Sequence, residues 1–145
     1  MAILIDTNIL LRLLQPHHPH CQIAERAIDA LRARNEILNI VSQNIIELWA
    51  VVTRPVVHNG LGLTVEEATK ELEQIKRLWV LVPDLPLFEE WEHLVKTYRV
   101  SGKNTHDARL VAAMHVHGIS SILTFNRTDF DRYTGITVID PMALS

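Results

Sequence analysis

The spacing of hydrophobic positions changes along the chain, and each change marks an element. Residues 2–5 (AILI) are apolar without alternation, as in a strand buried on both faces, and Asp6 ends the run. Thr7 and Asn8 then open a short amphipathic helix (NILLRLL). Residues 16–19 (PHHP) break the pattern, and from 21 to 34 Ile23, Ala24, Ala27, Ile28 and Leu31 share one helical stripe. Residues 37–41 are a short β-rich run; Ser42 is placed to cap a helix through Thr53, which stops before Pro55. Residues 58–63 hold two glycines and read as a loop. Thr64-Val65-Glu66-Glu67 is a capping box, and Val65, Ala68, Leu72 and Ile75 give the helix it opens an apolar face. Residues 79–82 predict a strand. Pro86 fits the first turn of a further helix with Leu87, Phe88, Trp91, Leu94, Val95 and Tyr98 on one side. After a polar loop at 100–104, Thr105 or Asn104 caps a helix through His117, which Gly118 terminates. Residues 121–124 are a strand, 126–132 a short helical turn and 135–139 the last strand.

Strands alternate with helices throughout, which predicts an α/β fold with a parallel sheet covered on both faces. In such sheets ligands sit beyond the C-terminal strand ends, near a topological switch point. The length of 145 residues fits a single domain, 1–145, with a core that needs no staples, and 48% hydrophobic content excludes a disordered chain. The one cysteine, Cys21, rules out an internal disulfide and fits a cytosolic setting, where it reads as a small core or surface residue. No apolar run is long enough to cross a bilayer; residues 37–52 are interrupted by Asn39, Ser42, Gln43, Asn44 and Glu47. The opening MAILID lacks the basic start of a signal peptide, so the expected location is the cytoplasm, without membrane association. A net charge of −3 does not advertise a nucleic-acid binder, but a basic rim around an acidic site is compatible with it.

Acidic and amide side chains from four segments can reach the predicted sheet edge. Asp6 follows the first strand, Glu47 lies one to two turns into the helix after the second, Asp107 lies in the first turn of the helix through His117, and Asn126 and Asp129 follow the fourth strand. Carboxylates gathered from separate elements repel one another unless a cation lies among them. Oxygen ligands with no cysteine and no ordered histidine spacing favour Mg2+ or Mn2+, ions that activate water and stabilise a phosphoryl group under in-line attack. The chemistry implied is phosphodiester hydrolysis. Each residue also has a plainer reading. Asp6 with Thr7 and Asn8 can be an N-cap cluster, and Asp107 a first-turn acid serving the helix dipole. Glu47 can be an exposed helix glutamate, although Ile45, Ile46, Leu48 and Trp49 surround it. Asn126 can be a cap and Asp129 a surface acid.

The stretches IDTNIL (5–10), SQNIIELWAVVTRP (42–55), THDARLVAAM (105–114) and ILTFNRTDF (122–130) resemble the PIN-domain ribonucleases, and within them the VapC-type toxins of toxin–antitoxin pairs. The motifs cover nearly the whole chain in the family's order and spacing. The resemblance implies a three-layer α/β/α fold with a five-stranded parallel sheet of order 3-2-1-4-5. It implies metal ligation by Asp6, Glu47 and Asp107, with Asn126 standing where the family has Asp or Asn and Asp129 as a further acid. It also implies a Mg2+-dependent endoribonuclease (Mn2+ being the alternative) in which a metal-activated water attacks RNA and leaves a 5′-phosphate and a 3′-hydroxyl. The implied partners are an RNA substrate, a cognate antitoxin that blocks the site, and a second copy of the chain in a homodimer.

Smaller and basic residues fill in the reading. Thr7 and Asn8 can donate hydrogen bonds to Asp6 or a metal-bound water, and Ser42 and Thr124 can orient neighbouring carboxylates. Arg54 lies seven residues after Glu47, a spacing that returns to nearly the same helix face and suits a phosphate contact. Arg12, Lys103 and Arg127 are further phosphate-rim candidates, with solvated surface charge as the plainer reading of Arg12 and Arg127. Arg109, two steps from Asp107, is read as pointing away from it. His17, His18 and His20 lack zinc spacing, and Trp49, Trp79 and Trp91 lie in apolar stripes and are read as core. Two rivals share the acids: a housekeeping PIN nuclease, and a PIN-fold RNA- or protein-binding module with little catalysis, motivated by Asn126 and the lack of basic surplus. A phosphatase of the haloacid dehalogenase type, with Asp6 as nucleophile, wants a second Asp where Asn8 stands.

Overall fold

A computed structural model describes residues 1–144. Five strands, β1 (Ala2–Ile5), β2 (Ile37–Ile40), β3 (Val80–Leu81), β4 (Ser121–Leu123) and β5 (Thr137–Ile139), pair in parallel in the order β3-β2-β1-β4-β5. Six helices connect them: α1 (Thr7–Leu13), α2 (Cys21–Ala33), α3 (Ser42–Thr53), α4 (Val65–Leu78), α5 (Phe88–Thr97) and α6 (Asn104–His117). This is the predicted sheet order and the predicted α/β/α layering.

Successive strand residues face opposite ways, so an uninterrupted apolar strand feeds two cores at once. Ile3, Ile5 and Leu123 pack with residues of α1, α2, α3 and α4, among them Ile9, Ile28, Leu48 and Ile75. Leu4 and Ile122 pack on the other face with Leu94 of α5 and Val111 and Met114 of α6. Cys21 is buried at the start of α2. The chain order places β1 and β4 side by side in mid-sheet, with the connections running outward on either side. That is the switch point, and everything following β1 and β4 opens onto its C-terminal edge.

Several boundaries differ from the sequence reading, for local reasons. Ser42 does not cap α3. Val41 occupies the N-cap position, and its N–H donates 2.9 Å to Asn44 Oδ1, so the amide three residues on reaches back in place of a hydroxyl. Neither Asn104 nor Thr105 caps α6; Lys103 holds that position, and Thr105 Oγ1 donates back to Gly102 O at 2.8 Å. α5 begins at Phe88 rather than Pro86, and β3 is only two residues because Trp79 still donates to Ile75 O as the end of α4. Val65 and Phe88 are 59% and 66% exposed, because each opens its helix before the apolar stripe meets the sheet. Trp79 is core as predicted, with the Arg32 guanidinium 5.1 Å from its ring centroid, whereas Trp49 and Trp91 are only half-buried. Gly118 ends α6 at φ 68°, the left-handed C′ role expected of it. Among the described residues no helix is long and apolar enough to cross a membrane.

Candidate active site

The site begins where β1 ends. Asp6 is buried at the N-cap of α1, and Thr7 N–H donates to its Oδ1 at 2.8 Å. Its other oxygen, Oδ2, accepts from Thr124 Oγ1 at 2.7 Å and from Asn8 Nδ2 at 3.3 Å. Thr124 comes from the end of neighbouring β4, and its hydroxyl also receives Asn8 Nδ2 at 3.2 Å and the Asn126 N–H at 2.9 Å. The N-cap reading of Asp6 is therefore true, but it accounts for only one of the two oxygens. Burial pushes the carboxyl up to about 6 against these hydrogen bonds, and the charges of Glu47 and Asp129 push in the same direction.

Glu47 is brought to Asp6 through Thr7. Thr7 Oγ1 donates 3.1 Å to Glu47 Oε1 while accepting 3.1 Å from Asn44 Nδ2. The relay from the Val41 amide through Asn44 and Thr7 to Glu47 locks α3 against α1. Burial raises Glu47, while bonds from Thr7 and Gln43 and the charges of His106 and Arg109 lower it. Asp107, in the first turn of α6, is pushed up to about 7 by burial and then by Asp129, Asp6 and Glu47, with Lys103 acting against them. Four carboxylates from four segments thus share one electrostatic environment at the switch point, as the spacing predicted. Asn126 follows β4 at the same edge with its side chain exposed.

A family model described as PIN domain matches residues 3–136. The chain belongs to the PIN-domain family. It is 29% identical over 143 residues to Ribonuclease VapC24 of Mycobacterium tuberculosis, with 95% of each chain covered. Its fold is similar to VapBC2 from Rickettsia felis, solved bound to a DNA fragment from their promoter (TM-score 0.71, 15% identity, 97% of this chain and 98% of that one). It is also similar to VapBC-1 from nontypeable Haemophilus influenzae (TM-score 0.66, 18% identity, the same coverage). The VapC-type likeness read from the motifs is thus met again in relatives bearing that name.

Not every predicted residue of this PIN domain faces the carboxylates. Ser42 Oγ donates to Asp84 Oδ1 at 2.5 Å, a bond to the loop before α5 and not to a site acid. Arg54 lies beyond the end of α3 in extended conformation (φ −64°, ψ 141°) and is exposed, so the same-face argument from Glu47 does not apply to it. Arg127 pairs with Asp131 at 3.5 Å, and Arg12 donates to Gln15 Oε1 at 2.7 Å. Lys103 alone of the four acts on a site carboxylate, Asp107. Arg109 was read as turned away, yet its guanidinium donates 2.9 Å to Gln43 Oε1 and its charge reaches Glu47. Asn44 and Gln43, both buried, were missed as site residues. Their signal was available: two consecutive amides in an apolar run are costly to bury without partners.

The donor set suits a hard divalent cation. It is all oxygen, it concentrates negative charge that Lys103 offsets only in part, and the buried Asn104 Oδ1, one turn from Asp107, has no hydrogen-bond donor among the described residues. As placed, no three His, Cys, Asp or Glu side chains among the described residues are grouped closely enough to hold a metal ion. Mutual repulsion keeps uncompensated carboxylates apart, and a cation among them removes that repulsion.

Proposed function

We propose that this PIN-domain chain is a Mg2+- or Mn2+-dependent endoribonuclease, the toxin of a VapBC-like toxin–antitoxin pair. The observation that carries the reading is the gathering of buried acids at the switch-point edge of the sheet, where Asp6 is raised by burial and then by Glu47 and Asp129, and Asp107 by burial and then by Asp129, Asp6 and Glu47. When bound, the cation would supply charge neutralisation for the scissile phosphate and acidity to a water. Asp6, Glu47 and Asp107 would hold it, with Asn126 and Asp129 completing the shell. Thr124 and Thr7 fix the Asp6 oxygens, and the Asn44–Thr7 relay fixes the Glu47 carboxylate. Lys103 lies beside Asp107 to receive substrate phosphate.

The test is cleavage of a single-stranded RNA with Mg2+ or Mn2+ and its loss on chelation. Cleavage that survives chelation sinks the metal dependence. A PIN-fold binding module with little catalysis is the second reading, favoured by Asn126 and by the open carboxylate set. RNA binding without metal uptake or cleavage would establish it.

The antitoxin is assigned to a groove of about 590 Å3 between α1, α2 and α4. Leu10, Leu13, Ile28 and Ile75 make its apolar lining, and its charged lining is three acids, Glu25, Asp29 and Glu71, against one base, Arg32. An amphipathic segment with basic flanks complements that pattern. Leu78, which lines the same groove and is 58% exposed, tests it. Leu78→Asp is expected to weaken antitoxin binding at least about tenfold while free-toxin cleavage stays intact. Equal binding by titration calorimetry would move the antitoxin elsewhere. A homodimer belongs to the same proposal and is read by sedimentation.

A further inference from the structure

We propose that the cavity between α5 and the start of α6 is a base-stacking subsite, which receives a nucleobase of single-stranded RNA beside the carboxylates. The proposal rests on the ribonuclease reading and adds where the substrate lies. The cavity is about 500 Å3 and is lined by Leu85, Leu87, Phe88, Trp91, His106 and Arg109. Its volume falls within the roughly 300–1,000 Å3 of small-ligand pockets.

Three observations point to a nucleotide. The first is the aromatic platform. Phe88 is 66% exposed and leans on Trp91 with ring centroids 5.8 Å apart and planes at 35°. A large aromatic left in water at a helix start contributes nothing to the core, and its exposed face is available for stacking. The second is rigidity. Trp91 Nε1–H donates 2.9 Å to Thr105 O, so the platform is tied to the helical turn that carries Asp107. The third is charge and continuity. Gln43 donates 2.8 Å to His106 O and accepts 2.9 Å from Arg109, which ties the cavity wall to α3, the helix that carries Glu47. One wall therefore serves the cavity and the carboxylates.

A base on Phe88 brings its own phosphate towards Arg109, which supplies the cation that a phosphodiester requires. A purely apolar partner would bury Arg109 and His106 with no added counter-charge. The mixed wall favours the nucleotide. Sequence spacing placed Trp91 in a core stripe; the structure leaves it half-buried with a cavity against it.

The test uses a single-stranded RNA oligonucleotide carrying 2-aminopurine, whose fluorescence is quenched on stacking, and the full chain in three forms: wild type, Phe88→Ala and Phe88→Trp. Wild type and Phe88→Trp are expected to quench the probe, and Phe88→Ala to lose the quench. In cleavage assays Phe88→Ala is expected to raise KM about tenfold, with the effect on KM and not kcat, and Phe88→Trp to restore it. Unchanged quench and KM in Phe88→Ala overturn the subsite and leave the ribonuclease reading standing. A wild type that cleaves no RNA overturns the ribonuclease reading, and the quench then decides the subsite by itself. If Phe88→Ala turns a dimer into a monomer in sedimentation while the quench persists, the face is an interface between copies and the subsite is overturned.

Discussion

Asp107→Asn is expected to reduce RNA cleavage by more than about a hundredfold and, in the same protein, to raise the melting temperature without metal at pH 8. The two effects have one cause. Asp107 is held up at about 7 by burial first and then by Asp129, Asp6 and Glu47. At pH 8 the folded chain must keep it ionised among like charges, which opposes folding. Asparagine keeps the shape and removes that cost. It also removes a charge from the set proposed to hold the cation. A variant that merely misfolds would lose activity and stability together, so the opposite signs are diagnostic. Cleavage at the wild-type rate would take Asp107 out of the metal set. A lower melting temperature at pH 8 would show that its charge is not strained in the fold.

The wild-type chain without metal is expected to be more stable at pH 5 than at pH 8. Asp6 and Asp107 are raised in the folded state, to about 6 and about 7, from an ordinary value of 3.8. Between those limits the folded chain binds more protons than the unfolded chain, so stability falls as pH rises. The advantage is complete below about pH 4 and is lost on passing through about 6 and then about 7. For buried Asp6 alone, the span of about one pH unit between pH 5 and its raised value contributes about 1.4 kcal/mol of the difference between pH 5 and pH 8. Asp107, being half-exposed, adds in the same direction with solvent screening. Mg2+ reverses the trend. It competes with these protons, so it is expected to raise the melting temperature much more at pH 8 than at pH 5. Calorimetric melts at the two pH values, with and without Mg2+, check this. A melting temperature that climbs from pH 5 to pH 8 without metal contradicts the strained carboxylates.

The acids were legible before the fold because each sits at a place with a physical signature. Asp6 ends a four-residue apolar strand, Glu47 interrupts an apolar helical run, and Asp107 opens the buried helix α6. Charges in such positions are expensive unless used. The supporting residues were partly legible. Thr7, Asn8 and Thr124 bond Asp6 or Glu47, since they adjoin the strand ends that converge. Ser42 fails that role because its hydroxyl donates to Asp84 in the loop before α5, and it fails as a cap because α3 starts one residue earlier than a hydroxyl cap requires. Arg54 fails on geometry because α3 ends at Thr53 and the chain turns extended before Pro55.

The sequence by itself determined the element order, the parallel sheet buried on both faces, the two-core layering and the placing of Asp6, Glu47 and Asp107 towards one sheet edge. Those follow from local rules: apolar period, capping and turn chemistry, and the cost of a charge at a buried strand end. Only the tertiary structure decided which partners the polar side chains take. Gln43 joins His106 and Arg109, Asn44 joins Thr7 over a separation of 37 residues, and Phe88 is left in water beside Trp91. The physical reason is that hydrogen bonds and aromatic contacts act over a few ångströms, between residues whose separation along the chain carries no period. The chain's patterning therefore places Asp6, Glu47 and Asp107 at one edge, and the packing decides how strongly each is buried and how readily it keeps a proton.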